Sequence, residues 1–344
     1  MKKPTVTACN QSDSVGTTVI EIRRIVSLSQ IVEMDLPKPA PVVDRLLQPG
    51  EITLMIGRQK EGKSTLTLQL AIDIGGGDLF LDEYATRTGK VLYLDFENRL
   101  LQVQKRALDL SKNRGSLANV EVKIYERASA IHRDLSLSGD GAIRLKDEIS
   151  ERKPDVLIID PLRYAAPDKG NKGEEAWALA VIDAVVKIQQ VHPLMSVLLV
   201  HHLRKSSEDA GPTLRDDPPS WIEKCYGSQA LLAHVDSIWG LARESEGYTF
   251  ATVSRSHEQL TVRLEKEGPE TERFALCDDR LESLSPEQRA HWDKLPSKFT
   301  WKMGLERNIA KGSLNRLIEL TKGLGLLRHE NKQYFKVESP GRES

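Results

Sequence analysis

Gly57 and Gly62 stand five positions apart and are followed at once by Lys63 and Ser64, inside the stretch LMIGRQKEGKSTLTLQLA that opens at Leu54. The run Gly57, Arg58, Gln59, Lys60, Glu61, Gly62, Lys63, Ser64, with Thr65 next, satisfies the G-x-x-x-x-G-K-[ST] pattern. In that pattern the glycines let a loop turn its backbone N–H groups onto phosphates, the lysine reaches the β/γ end, and the hydroxyl binds Mg²⁺. The flanks are right as well: EITLMI reads as the preceding strand and STLTLQLAIDI as the following helix, whose N-terminus adds its own positive end. These residues predict a nucleotide-phosphate site.

Such a site needs acids. PDVLIIDP places Asp160 at the end of a fully apolar strand, where it serves either as a turn cap or as the second holder of the metal, and the distance downstream of the loop favours the metal. Pro161 follows, so a catalytic glutamate directly after that aspartate is excluded. The base that orients water must then come from another strand, and KVLYLDFEN offers Asp95 and Glu97. Glu97 lies nearer the crevice outside the strand ends and is the candidate base; Asp95 reads as a supporting or capping residue.

The elements that must hold these groups alternate. Apolar runs at ITLMI, VLYLDF, VEVKIY, DVLIID and MSVLLVHH are separated by segments long enough for helices, among them residues 64–74, 99–110 and 174–190. Continuous apolar strands between helices predict an α/β fold with a mostly parallel sheet covered on both faces. After His202 the alternation stops at the polar stretch LRKSSEDAGPTLRDDPPSWIEKCYGSQ. DSIWGLAR, YTFATVSR, QLTVRLEK and TERFALC then read as strands in a hairpin succession.

Length and composition set the limits. At 344 residues the chain has room for two domains. No run approaches the roughly 20 apolar residues of a membrane span, and no signal-peptide core opens the chain, so a soluble cytoplasmic protein with no membrane partner is expected. Cys9, Cys225 and Cys277 lack metal or disulfide spacing. The net charge of −1 is uneven: residues 286–344 carry 12 basic and 7 acidic side chains, a +5 appendage on a −6 body. A basic appendage hints at a polyanionic partner.

Taken together, the phosphate loop, a glutamate ending the next strand, LIIDPLR, and VLLVHHLRK followed by YGSQALLAHVDSIWGL resemble the RecA-type ATPases, and more closely the RepA-like hexameric replicative helicases of plasmids and related mobile elements. The resemblance spans about residues 32–276, and its most specific parts are the pairs His201-His202 and Gly227-Ser228. It implies ATP with Mg²⁺ at the loop, a γ-phosphate sensor at His202, a homo-oligomer, hexameric in that family, and a basic finger reaching the site from a neighbouring subunit. The finger departs from the family pattern: Ile238, not an arginine, precedes Trp239. Arg243 and Arg255 are the remaining candidates, and Arg255 in ATVSRSHE resembles the basic position of related DnaB-like proteins. The loops after Asp160 and His202 occupy the places where RecA-type proteins grip single-stranded DNA in a channel, which puts Arg204, Lys205 and Arg215 on phosphates and Trp221 under a base, against the acidic pair Asp216-Asp217.

The tail FTWKMGLERNIAKGSLNRLIELTKGLGLLRHENKQYFKV reads as a short helix, a turn near Asn308, a longer helix from Lys311 and a strand-turn-strand, with a further helix before it at residues 286–295. This resembles a winged helix-turn-helix domain, a fold that binds duplex DNA and also serves as a protein-interaction module. Lys311, Asn315 and Arg316 on the longer helix and Lys332 in the wing are the candidate duplex contacts, with Ser313, Lys322, Arg328, His329 and Gln333 nearby. The expected organisation is a flexible segment at 1–30, a RecA-like ATPase domain at 31–284, the winged helix at 285–338 and a tail at 339–344. The expected activity is ATP-driven DNA translocation in the replication of a mobile element. An ATP-gated DNA-binding regulator or loader that never translocates is the alternative.

Overall fold

The computed structural model describes residues 26–35, 39–126, 134–167, 173–202, 211–223, 229–245, 247–267, 271–277, 284–323, 326–330 and 333–336. A short helix, α1 (Leu28–Val32), precedes the first strand, β1 (Ile52–Gly57). Then come α2 (Lys63–Gly76), β2 (Val91–Asp95), α3 (Leu100–Leu110), β3 (Val120–Ile124), α4 (Gly139–Arg152), β4 (Val156–Asp160), α5 (Leu162–Ala165), α6 (Glu174–Gln189) and β5 (Ser196–His202). Helices α7 (Pro218–Glu223) and α8 (Gln229–Leu232) lead to β6 (Ser237–Arg243), β7 (Tyr248–Ser254), β8 (Leu260–Lys266) and β9 (Phe274–Leu276).

These nine strands form one sheet in the order β3-β2-β4-β5-β1-β6-β7-β8-β9. The first six are parallel, and β7 to β9 add on antiparallel. Thus the expected α/β fold with a mostly parallel sheet is present. DSIWGLAR begins the hairpin succession as expected, pairing antiparallel with β7, and on its other edge it also pairs in parallel with β1, Thr53 opposite Ser237, which the sequence pattern does not announce. The segment carrying α7 and α8 returns the chain to the amino end of the sheet, and a parallel neighbour requires such a crossover.

Strand alternation sorts the core into two layers. Met55, Val91, Tyr93 and Val200 face one side, where α2 packs; Leu54, Ile56, Leu92, Leu94 and Leu199 face the other with residues of α4 and α6. Helix α2 is buried nearly all round, with twelve of its fourteen residues out of solvent, and so has no polar face to show. Among the described residues no helix is long and apolar enough to cross a membrane.

The C-terminal residues build a separate core. Helices α9 (Pro286–Lys294), α10 (Trp301–Glu306) and α11 (Lys311–Gly323) accompany a three-stranded antiparallel sheet of β10 (Lys298–Phe299), β11 (Leu327–Glu330) and β12 (Gln333–Lys336), ordered β10-β12-β11. Trp292, Leu295, Phe299, Ile309, Leu314, Leu317, Ile318 and Leu326 pack together there. Ser285 and Gln288 close a capping box on α9, and Pro286 fits its first turn. Helices α10 and α11 cross so closely that a Cβ on Gly304 would stand 2.7 Å from Leu314 Cδ2. The short strand β10 is an element the tail pattern does not announce.

Candidate functional site

Four strands of the parallel sheet end side by side on chemical groups. Gly57 of β1 is in register with His202 of β5, and Asp95 of β2 with Asp160 of β4. The carboxyl ends of β1, β2, β4 and β5 therefore make one polar edge, the place where open α/β sheets take their ligands.

The loop from Gly57 to Gly62 is shaped by its glycines. Gly62 has φ +96°, and a Cβ on it would come within 2.7 Å of the Phe274 ring. A Cβ on Gly57 would meet Leu241 O at 2.4 Å, so neither position has room for a side chain. Glu61 ties the loop by accepting from the Arg58 N–H at 2.8 Å. Lys63 is buried, and its ammonium donates to Gly57 O at 2.8 Å and Arg58 O at 2.6 Å. Burial lowers the lysine to about 8, against the pull of Asp160, Glu61 and Glu97 toward the charged form.

Asp160 is buried and accepts from the Tyr93 hydroxyl at 2.7 Å and from the Ser64 hydroxyl. Burial raises it to about 6, and those two donors and Lys63 hold it from going further. Asp95 does what a capping residue does: its Oδ1 accepts from the N–H groups of Glu97 and Asn98 at 3.0 and 2.9 Å, and the Asn98 amide spans both of its oxygens. The turn so fixed carries Glu97 outward, where its Oε2 lies 3.5 Å from His202 Nε2. His202 is held below the usual histidine range by burial first and by Lys63 second, with Glu97 opposing. Its Nδ1 is buried and has no hydrogen-bond partner among the described residues. His201 is pushed down to about 4, again by burial first.

A family model described as the AAA domain matches residues 20–208, more than half of the chain, and takes in every one of these strand ends. The chain belongs to the AAA domain family. No curated protein matches it. The match ends before β6, so the antiparallel extension and the C-terminal unit lie outside the matched AAA domain.

AAA-type P-loop domains are nucleotide-driven ATPases that bind ATP with Mg²⁺, and this AAA domain has the donors for both. The hydrogen bonds of the Lys63 ammonium among the described residues go to main-chain carbonyls that a phosphate can replace. Ser64 and Asp160 offer hard oxygens side by side, as Mg²⁺ requires. Among the described residues no group of three or more His, Cys, Asp or Glu could cage a metal. A Mg²⁺ ion here would therefore share its coordination with substrate phosphates and water.

Of the site residues expected from sequence, Lys63, Ser64, Glu97, Asp160 and His202 come together with the loop. Arg255 does not join them: it follows β7 directly, and the pairing of Ser254 with Ser237 places it at the amino edge of the parallel sheet, the edge opposite Gly57. Its guanidinium donates to Ala233 O at 2.6 Å. Arg243, the other finger candidate, ends β6 at the carboxyl edge and is exposed. Trp221 is not held out for a base; it is half-buried, its ring against Gly240. The DNA candidates Arg204, Lys205 and Lys332, and the Gly227-Ser228 pair, lie outside the described residues, as does most of the expected N-terminal segment.

On α11, Lys311, Asn315 and Arg316 are exposed opposite the apolar seam. Asn315 is engaged, accepting from Trp301 Nε1 at 2.8 Å, and Lys311 stands 5.8 Å over the Trp301 ring. Ser313 and Lys322 are less free than the helix pattern suggests, both half-buried, with Lys322 over Tyr334. Sequence reasoning missed Tyr93 and Thr67, whose hydroxyls meet at 3.0 Å beneath Asp160. It also missed Arg106, Lys266 and Glu272 beyond Thr65. The one available signal for Tyr93 was its polar hydroxyl inside an otherwise apolar buried strand.

Proposed function

We propose that the chain hydrolyses ATP at this edge and uses the cycle to drive an oligomeric motor on DNA, in the manner of the RepA-like replicative helicases of mobile elements. The observation that carries the ATPase part is the convergence of Lys63, Ser64, Asp160, Glu97 and His202 at four adjacent strand ends. Lys63 exchanges the carbonyls of Gly57 and Arg58 for β/γ-phosphate oxygens, and the loop N–H groups from Arg58 to Thr65 hold the rest. Ser64 and Asp160 hold Mg²⁺, which when bound neutralises charge building on the phosphates. Glu97 orients the attacking water and takes its proton. His202, beside Glu97, reports whether a γ-phosphate is present.

The finger comes from a neighbouring subunit. We assign that role to Arg255, which sits at the sheet edge opposite its own site. Arg204 and Lys205 hold single-stranded DNA in the oligomer's channel, and the three-helix unit at 285–338 acts as a winged helix that takes duplex DNA on Lys311, Asn315, Arg316 and Lys332. Residues 31–284 form the ATPase domain.

Two measurements test the reading: ATP turnover with and without single-stranded DNA, and strand displacement on tailed duplexes. Turnover stimulated by single strands, together with displacement, is expected. ATPase activity indifferent to DNA and without displacement would replace the motor by an ATP-gated regulator or loader.

A further inference from the structure

The first two side chains past Lys63 face different ways. Ser64 is directed at Asp160, whereas Thr65 Oγ1 donates to Glu272 Oε2 at 3.3 Å. One step along a helix turns about 100°, so the first turn of α2 separates a metal side over Ser64 from a second side over Thr65. A nucleotide whose β/γ end is taken by Lys63 and Ser64 must send its nucleoside over Thr65.

Residues from two distant parts of the chain are assembled on that second side. Glu272 Oε2 also accepts from Arg106 Nε of α3 at 3.3 Å. Lys266 of β8 donates to Glu272 O, and its ammonium stands 3.5 Å over the ring of Phe274. That ring is the one that presses on Gly62 of the loop. Burial lowers Lys266 to about 8. The ATPase chemistry proposed above uses none of these three polar residues.

We propose that Glu272, Arg106 and Lys266 form the nucleoside end of the ATP site, with Glu272 receiving the ribose hydroxyls. The inference rests on the ATP reading above. Two donors, the Thr65 hydroxyl and the Arg106 guanidinium, converge on a single carboxylate oxygen, as they would on an α-phosphate oxygen. An arriving α-phosphate takes both donors and repels the carboxylate. The Glu272 side chain is 55% exposed and has room to turn. A carboxylate next to a ribose accepts from its hydroxyls, which is how acids read the 2′-OH in dinucleotide folds. Lys266 closes the floor of the subsite beside Phe274.

The test compares ATP, 2′-deoxy-ATP and inorganic tripolyphosphate binding to the full chain by calorimetry, for the parent protein, Glu272→Ala and Arg106→Ala. The parent protein is expected to prefer ATP over 2′-deoxy-ATP by about tenfold, the worth of one hydrogen bond to a charged group. Glu272→Ala should lower ATP to the 2′-deoxy-ATP level while tripolyphosphate binds at least as well as before, which also reports an intact loop. Arg106→Ala should weaken both nucleotides equally and keep their ratio. No ribose preference in the parent protein, or a preference that survives Glu272→Ala, overturns the subsite. Failure of the parent protein to bind even tripolyphosphate, or binding unaffected by Lys63→Ala, removes the ATP reading itself.

Discussion

The Tyr93 hydroxyl donates to Asp160 Oδ2 at 2.7 Å from inside the core, and Thr67 Oγ1 stands 3.0 Å behind it. A carboxylate buried at a strand end would otherwise face the apolar layer beneath it. Tyr93 supplies the polar floor, fixing one oxygen of Asp160 while Ser64 meets the carboxylate from α2. Partners of this kind orient metal-holding groups from behind.

Tyr93→Phe should therefore weaken Mg²⁺ use without touching the phosphate contacts. The Mg²⁺ concentration for half-maximal turnover is expected to rise about tenfold, the lower end for loss of an outer-shell partner. Nucleotide affinity in EDTA should stay level. Equal loss in both measurements would reduce Tyr93 to a packing residue.

Lys63 links nucleotide binding to pH. Burial holds it at about 8, and phosphates that bind the ammonium must raise it again in the complex. Affinity measured in EDTA is expected to be flat below that value and to fall as pH rises through it, approaching about tenfold per unit. Lys63→Ala should bind nucleotide weakly at every pH. A parent protein whose affinity is unchanged up to pH 9.5 would contradict the assignment.

Glu97→Gln should keep ATP and lose turnover by roughly 10² or more, because the amide cannot take a proton from water. Mixed with Arg255→Ala protein, it should recover some activity, since hetero-oligomers contain interfaces with both an intact base and an intact finger. An Arg255→Ala protein that is fully active by itself, with an Arg243→Ala protein inactive by itself and rescued by mixing, would move the finger to the end of β6.

Arg273 grips Asp73 of α2 with both oxygens within 3.0 Å, and both side chains are buried. Gln69 clasps the Phe274 backbone in both directions at 2.8 Å, so β9 is sewn to the phosphate-loop helix. Arg273→Ala leaves a buried carboxylate unpaired and should cost about 3–5 kcal/mol in urea unfolding. Replacing both partners with leucine should restore much of that. A single variant as stable as the parent protein would mean that water reaches Asp73.

What could be read in advance was local. The phosphate loop announces itself because its glycines, lysine and serine act within one turn, and the strands did because continuous apolar runs suit a sheet buried on both faces. Tyr93 could not be read: alternation tells which face it occupies, but its partner Asp160 depends on β2 lying beside β4. Glu272 and Arg106 meet across 166 positions, and no periodicity links them. The parallel pairing of β6 was hidden for a related reason, since its direction is set by the path of the preceding crossover and its own apolar pattern suits either direction. Trp221 looked available only because the stretch around it lacks a period, while Gly240 across from it leaves the space its ring fills.

The C-terminal unit has its own core, and every group placed at the ATP site precedes Ser285, so tail and ATPase should be separable. A fragment of residues 285–338 is expected to bind duplex DNA through the face of α11 that shows Lys311, Asn315 and Arg316. Phosphate contacts would make its affinity fall with salt by about 0.9 log units per log unit for each contact neutralised. Lys311→Ala with Arg316→Ala should weaken binding and flatten that slope by nearly two contacts. Asn315→Ala acts differently: it frees the Trp301 indole N–H, so a loss of stability should accompany any loss of affinity. The chain truncated before residue 285 should keep its basal ATPase activity. If the fragment folds and ignores duplex DNA even at low salt, the exposed face of α11 belongs to a protein partner instead.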